Sequence, residues 1–242
     1  MTKEELLKRI ENNDVNAMID MGYLYLDEKN FNEARAWFKK ASDFDEPYAN
    51  VMFGSFLECE GKYEEASILF KKGMAAGVSQ GALNLSELYI EGKLEKDYSK
   101  AISILEEYTK IQMDSEVLEK IASLYDHGYL GRDNIHKCLK YYEILSDMGY
   151  LVYTTMLGVS YMDGRNGAVI DKEKGLKYYY KSADGGWIYG MVNLGLYLCD
   201  CGDRVEGLSW LKKASEIDDP SLSDVAEEAL DFYKKYKAKF NL

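Results

Sequence analysis

The sequence predicts an all-α fold built from stacked helical hairpins. Three observations support this prediction: two sequence blocks recur six times each, both blocks have helical periodicity, and only two of the 242 residues are proline. Proline lacks a backbone donor and clashes with the preceding helical turn, so its scarcity favours long, uninterrupted helices. Hydrophobic residues make up 47% of the chain, which is enough to form a sizeable core.

The first block ends in a large residue, which we call the anchor of its repeat. The six anchors are Tyr25, Leu57, Tyr89, Tyr125, Tyr161 and Leu198, at intervals of 32 to 37 residues. The residue three positions before each anchor is always small: Gly22, Gly54, Ser86, Ala122, Gly158 and Gly195. Small and apolar residues recur at i, i+3, i+4 and i+7, which is the pattern of one face of an α-helix. We call this helix A.

The second block follows each first block and predicts helix B of the hairpin. Its second residue is small in every copy: Ala34, Ala66, Ala101, Cys138, Gly175 and Gly207. Large apolar pairs such as Tyr178-Tyr179 follow three and four positions later. Two helices approach closely only where a side chain is missing, so we expect the small residues to face large side chains of the partner helix. Seven of the 21 tyrosines occupy such repeat positions and are predicted to pack in the core, and an aromatic ligand cage is the remote alternative.

The hairpins fill most of the chain. Helices A are predicted near 15–27, 47–59, 79–91, 114–127, 150–163 and 187–200, and helices B near 31–44, 62–76, 97–111, 135–148, 171–184 and 203–216. Thr2 and Glu5 form the pattern of a capping box, which predicts a helix near 3–11. A further helix is predicted over 221–240. Its four lysines beside aromatic residues could indicate a membrane or nucleic-acid surface, but the last repeat needs an apolar cover, so we predict a cap.

We therefore predict a single domain over 1–242. Its predicted parts are an N-terminal cap at 3–13, repeats at 14–46, 47–78, 79–113, 114–149, 150–186 and 187–219, and a C-terminal cap at 220–242.

Composition and charge exclude several classes of function. The net charge of −12 argues against a nucleic-acid-binding surface and suits a basic partner. The N-terminus has no apolar stretch typical of a secretion signal, and no window approaches the length of a membrane span. We therefore expect a cytoplasmic protein that binds no membrane.

The cysteines and histidines predict neither a disulfide framework nor a metal site. The four cysteines, Cys59, Cys138, Cys199 and Cys201, are too few for a disulfide scaffold and are expected to be reduced. Cys199 and Cys201 could form half of a metal site, but only His127 and His136 are available as histidine ligands, and no second cysteine pair exists. Sequence motifs of nucleophilic, nucleotide-dependent or metal-dependent catalysis are also missing. We predict no enzyme activity, no cofactor and no small-molecule substrate.

Several residues match the pattern of a known repeat family. Ala17, Met21, Gly22 and Tyr25 match its helix A, and Gly92 with Asp97, Gly128 with Asp133 and Gly164 with Asp171 match its connector. Lys100, Lys137, Lys174, Gly149 and Gly186 match its later positions. Over about residues 14 to 217 the chain resembles the Sel-one-like branch of the tetratricopeptide-type repeats, although repeats one, two and six lack the longer connector. The resemblance implies a right-handed α-solenoid whose helices A line a concave groove.

A solenoid of this kind is suited to binding an extended peptide or a partner helix in its groove. We expect the groove to be lined by residues two, six and nine positions before each anchor and by the two residues after it. The predicted contacts are Tyr23, Tyr48, Glu87, Glu91, Glu116, Glu119, Asp126, Val159, Met162, Tyr189 and Val192. The predicted function is a non-enzymatic scaffold or adaptor that binds another protein or peptide.

Two alternatives remain. One is a cytosolic immunity protein that sequesters a cognate toxin. The other is a solenoid that regulates an attached enzyme, for which the repeats leave no room within this chain.

Overall fold

The structure is a computed structural model that describes residues 2–240, and within this range it contains fourteen α-helices, three short 3₁₀ helices and no β-strand. The α-helices are α1 Lys3–Ile10, α2 Val15–Asp27, α3 Phe31–Ser42, α4 Pro47–Cys59, α5 Tyr63–Ala75, α6 Ser79–Ile90, α7 Tyr98–Tyr108, α8 Ser115–Asp126, α9 Cys138–Asp147, α10 Leu151–Asp163, α11 Lys172–Asp184, α12 Ile188–Cys201, α13 Arg204–Ser215 and α14 Ser223–Phe240. The 3₁₀ helices are Arg132–Lys137, Arg165–Gly167 and Pro220–Leu222. The prediction of an all-α helical-repeat fold is confirmed.

The chain divides into two compact units, Met1–Leu124 and Tyr125–Leu242. In the first unit, the consecutive helices from α1 to α7 pack against each other in chain order. In the second unit, each helix from α9 to α14 does the same, and α10 also contacts α12. Each unit is therefore a stack of helical hairpins.

The close approach of helices A and B occurs at the small residues, as the sequence predicts. At Gly158 of α10, a Cβ atom would collide with the ring of Tyr179 on α11. At Gly195 of α12, it would lie 2.8 Å from Leu211 Cγ and 3.0 Å from the carbonyl oxygen of Gly207 on α13. These distances are too short for real carbon atoms, so the absent side chain is what allows each hairpin to close.

The tyrosine anchors and the repeated lysines form a second contact within the hairpins. Tyr161 of α10 stacks on Tyr178 of α11 with ring centroids 5.9 Å apart. The ammonium of Lys174 lies 4.0 Å from the centroid of the Tyr161 ring and 2.7 Å from its hydroxyl oxygen. The hydroxyl of Tyr161, and after it the Glu143 carboxylate, raise the pKa of Lys174 to about 12 against the opposing effect of burial. Lys100 over Tyr89 repeats the arrangement in the first unit, at 4.4 Å. The lysine of the repeat pattern therefore covers the anchor of its own hairpin, a contact of about 0.5–1 kcal/mol at exposed sites.

Both predicted caps are present. Thr2 and Glu5 form the expected capping box at the start of α1, and Leu6 and Ile10 of this helix are buried. In α14, the hydroxyl of Tyr236 donates a hydrogen bond of 2.8 Å to the Asp200 carboxylate at the end of α12. The aromatic side chains of α14 pack on a cluster from the last hairpin: Cys199, Leu208 and Leu211.

One predicted helix begins later than expected. Helix B of the fourth repeat was predicted over 135–148, whereas the structure has a 3₁₀ helix at Arg132–Lys137 and regular α-helix only from Cys138. Gly131, at φ 89°, begins the tighter turns, and the side chain of Asn134 donates a hydrogen bond to the carbonyl oxygen of Leu130. The α-helix starts at Cys138, the small residue of the repeat.

None of the described helices is both long enough and apolar enough to cross a lipid bilayer.

Replacing Gly158 by Leu should destabilise the protein by about 1–3 kcal/mol, because the added side chain must displace the buried ring of Tyr179. Urea unfolding followed by circular dichroism measures the change. The control is Ala238→Leu at an exposed position of α14, which should change the free energy of unfolding by less than about 0.5 kcal/mol. Equal stability of the two variants would contradict the assigned register of the repeats.

Candidate functional site

A groove of about 550 Å³ lies within the second unit. It is lined by side chains of three helices A together with connector residues and one residue of a helix B: Asp126, Tyr142, Val152, Thr155, Met156, Val159, Ser160, Arg165, Asn166, Trp187, Tyr189 and Asn193. Val152, Met156 and Val159 are spaced i, i+4 and i+7 along α10, so they form one stripe of that helix.

One end of the groove is apolar and aromatic. Val152 and Met156 are each 39% exposed and Tyr189 is 44% exposed, which is unusual for large apolar side chains gathered in one place. The ring of Trp187, just before α12, lies 5.6 Å from that of Tyr189, centroid to centroid. Clustered exposed apolar side chains of this kind are typical of binding surfaces.

The hydroxyl groups of Thr155 and Ser160 are occupied by hydrogen bonds within the fold. Thr155 Oγ1 lies 2.6 Å from Ser182 Oγ and 3.1 Å from the carbonyl oxygen of Leu151. The hydroxyl of Ser160 donates to the carbonyl oxygen of Met156 at 2.8 Å. Among the described residues, no hydrogen-bond partner is found for the half-buried amide of Asn193. An amide both donates and accepts, so Asn193 can pair with a peptide backbone.

The other end of the groove is polar and is built around Asp126, the last residue of α8. The buried side chain of Tyr142 lines the groove beside this carboxylate. Burial of the Tyr142 side chain, followed by the charge of Asp126, raises the pKa of Tyr142 far above its usual value. Tyr142 therefore stays protonated and uncharged at neutral pH.

Arg165 and Asn166 are placed at the rim of this polar end by the connector after α10. Gly164, Asn166 and Gly167 all have positive φ, between 55° and 73°. These left-handed residues turn the chain sharply and place Arg165 beside Asp163, with Arg165 Nε 3.5 Å from the nearer carboxylate oxygen. The guanidinium thus already has an acidic partner.

Three of the residues predicted to bind a partner line this groove: Asp126, Val159 and Tyr189. Met162 and Val192 were expected on the same face, but the structure buries them and they do not line the groove. Met162 lies against Gly175 of α11, and Val192 belongs to the core cluster with Ile188 and Ala214. Their positions on the helices turn them towards the hairpin interior.

The other predicted contacts lie in the first unit. Tyr23 of α2 and Tyr48 of α4 meet through a hydrogen bond between their hydroxyls, with ring centroids 6.2 Å apart. Burial, followed by this hydrogen bond, raises the pKa of Tyr23 well above its usual value. The two helices A therefore present these tyrosines side by side, and their role in partner binding stays a prediction.

The predicted acidic residues of the first unit are partly neutralised. Glu87 pairs with Lys120 at 2.7 Å, and Glu91 pairs with Lys93 at 2.6 Å. Lys93 also reaches Glu58 at 2.9 Å. Glu116 is exposed and Glu119 is half-buried, and neither makes an ion pair within the described residues.

Several lining residues were missed from the sequence. Met156 and Asn193 both lie five positions before their anchors. This position is not among those that we predicted to line the groove. This position lies four residues after the predicted position nine before the anchor, and three residues ahead of the predicted position two before the anchor. Helical periodicity alone could therefore have identified it. Tyr142 belongs to the large apolar pair of its helix B, which predicts core packing, and Trp187 and the connector residues carry no comparable repeat signal.

The thiol groups differ sharply in accessibility. Cys138 and Cys199 are buried, whereas Cys59 and Cys201 are exposed, and all four are unpaired. Burial raises the pKa of the Cys138 thiol to about 12, with a further contribution from the charge of Asp126. No group of three or more metal-binding side chains occurs among the residues that the structure describes.

A thiol reagent at pH 8 should therefore react quickly with Cys59 and Cys201 only. Cys138 and Cys199 should react only when the protein unfolds, because the thiolate is the reactive form and neither side chain is accessible. Mass spectrometry of the native protein after alkylation, compared with a sample in urea, identifies the labelled residues. Rapid labelling of Cys138 in the native protein would contradict the packing beside Tyr142.

Comparison with known proteins gives one family and several structures. The family model of the Sel1 repeat matches residues 15–43, 79–107, 116–150, 154–187 and 188–219. No curated protein matches the chain in sequence.

Among solved structures, c5321 of uropathogenic Escherichia coli, described as a protective antigen with an SLR fold, aligns with a TM-score of 0.61 at 19% identity, over 96% of this chain and 55% of that one. The chain thus spans little more than half of that protein. A Sel1 repeat protein of Oxalobacter formigenes aligns with a TM-score of 0.55 at 21% identity, over 90% of each chain. Yeast Tom70 aligns with a TM-score of 0.50 at 15% identity, over 94% of this chain and 47% of that one. At these identities the likeness shows a shared fold.

Proposed function

The chain belongs to the Sel1 repeat family, and from this premise we propose that it is a non-enzymatic scaffold that binds a peptide segment of another protein in the groove of its second unit. The observation that carries the proposal is the gathering of exposed Val152, Met156 and Tyr189 beside Trp187. Leaving these side chains in water is unfavourable, and a partner that covers them gains about 25 cal/mol for each Å² of apolar surface removed from water.

The dimensions of the groove support an extended segment as the occupant. The residues of α10 that line the groove, including the stripe, run from Val152 to Ser160. A rise of eight residues along a helix spans about 12 Å at 1.5 Å per residue. An extended peptide covers this length with about four residues at 3.3 Å each. The half-buried amide of Asn193 beside the stripe is suited to pair with the backbone of such a segment.

The chemistry of the groove supports binding rather than catalysis. The hydroxyls of Thr155 and Ser160 are held by hydrogen bonds within the fold, and the thiol of Cys138 is buried. The phenol of Tyr142 stays protonated because its pKa is raised. The hydrogen-bond partners of the Thr155 and Ser160 hydroxyls are a serine hydroxyl and backbone carbonyl oxygens, so neither hydroxyl is paired with a base in the way that is usual in covalent catalysis.

The groove of the second unit is a better candidate than the acidic residues of the first. Glu87 and Glu91 were predicted to attract a basic partner, but each already has a lysine within 2.7 Å. Exposed ion pairs contribute little to binding unless a partner replaces them. The apolar side chains of the groove have no such competing partner.

Selection from a phage-displayed library of random twelve-residue peptides tests the proposal on the full chain. We expect enriched peptides that bind the protein in fluorescence anisotropy, and Met156→Glu should weaken their binding at least about tenfold, because an unpaired carboxylate in an apolar contact is costly. Ile68→Glu is the matched control: Ile68 is 58% exposed on α5 and lies outside the groove.

Failure to enrich any peptide, or equal binding by the Met156→Glu variant, would refute the groove as a peptide site. Tight binding of one whole protein in place of short peptides would instead favour the immunity alternative.

A further inference from the structure

The carboxylate of Asp126 has an unusual position for an acidic side chain. It ends α8, where the unpaired carbonyl groups of a helix already carry partial negative charge, so a carboxylate there is disfavoured by about 0.3–1 kcal/mol. The side chain is half-buried, which limits screening by water and salt. Both effects favour a positive charge beside it.

The described residues supply no cation to Asp126. Its neighbour Tyr142 is an uncharged phenol, which does not balance the negative charge of the carboxylate. Arg165 lines the same groove, but its guanidinium pairs with Asp163. These three charged side chains therefore leave the polar end of the groove with a net charge of −1.

The other end of the groove has the opposite chemistry. Leu151, at the start of α10, packs on Gly185 in the turn that leads to Trp187 and α12, so the aromatic side chains lie at the beginning of the α10 stripe. Asp126 instead lies near Cys138 and, like Asn166 after the end of α10, lines the groove at this end. The acidic and aromatic ends are thus separated by about the 12 Å of the stripe.

We propose that the groove selects protein segments in which a lysine or arginine pairs with Asp126 while a large apolar side chain, three or four positions away, packs against Trp187 and Tyr189. This inference rests on the proposed function, because it names the chemistry of the same site's occupant. The spacing follows from 12 Å divided by about 3.3 Å per extended residue. The charge pair orients the segment, and the apolar contact supplies most of the affinity.

The library selection tests the inference when it is repeated on the variant Asp126→Asn. The wild type should enrich peptides with a basic residue three or four positions from a large apolar one. The Asp126→Asn variant should lose the preference for the basic residue and keep the preference for the large apolar residue. Asp184→Asn is the matched control, since Asp184 also ends a helix but is exposed and lies outside the groove. Thermal unfolding of both variants checks that they fold.

A synthetic peptide from the selection gives the quantitative form of the test. Replacing its basic residue by Gln should weaken binding to the wild type about tenfold, in keeping with the loss of a charge-assisted hydrogen bond, and should leave binding to Asp126→Asn unchanged. Raising NaCl from 50 to 500 mM should weaken binding to the wild type more than to the variant.

The outcomes separate the two proposals. Suppose that binding of the selected peptides depends on Met156. If these peptides carry no basic residue, carry acidic residues, or bind Asp126→Asn as tightly as they bind the wild type, the inference fails and the peptide-binding function stands. If no peptide binds in a manner that depends on Met156, both fail.

Discussion

The fold depends on the close contact between the two helices of each hairpin, where one helix lacks a side chain and the other supplies a large one. Gly158 opposite Tyr179 and Gly22 opposite Phe38 are two instances, with Phe38 only 2.8 Å from the position of an added Cβ at Gly22. Glycine within a helix costs roughly 1 kcal/mol relative to alanine. Burying an aromatic side chain offsets this cost, because it removes 150–250 Å² from water. The contact also fixes the rotation of helix A about its axis, and therefore decides which of its residues remain at the surface.

That rotation separates the residues that hold the fold from those that can vary. In α10, the anchor and the small residue face α11, while positions nine, five and two before the anchor face the groove. The same three positions in α2 are Asn16, Asp20 and Tyr23. The repeats therefore share their packing contacts and differ on the exposed stripe. A surface that varies while its scaffold is repeated is suited to recognition, since its side chains can change without loss of the hairpin contacts.

The sequence was sufficient to predict the repeat, the hairpins and the caps, because core packing imposes a strict period. Helices α2 and α4 begin and end at the predicted residues 15–27 and 47–59. The site was harder to predict, because its residues are not constrained by the repeat. Arg165 depends on a connector with left-handed residues, and Glu87 is neutralised by a lysine of another helix. Neither feature has a periodic signal. Met162 and Val192 were expected to face the groove but are buried, and Asn193, the residue after Val192, lines the groove instead. Counting residues from an anchor therefore identifies the face of a helix only to within about one position.

For the peptide site that we propose, we expect the local placement of charge, and not the total charge of the chain, to determine which segments bind. The first unit contains 24 acidic and 15 basic residues, whereas the second contains 18 and 15, so most of the net charge of −12 lies outside the unit that holds the groove. Many of the acidic residues are exposed or paired with lysine, and salt screens such charges over about 8 Å at physiological ionic strength. Asp126 is instead half-buried and lies at a helix end. A single carboxylate in that setting discriminates between a lysine and a neutral residue more strongly than several screened surface charges do. The reason is that a neutral partner residue leaves the carboxylate both desolvated and unpaired.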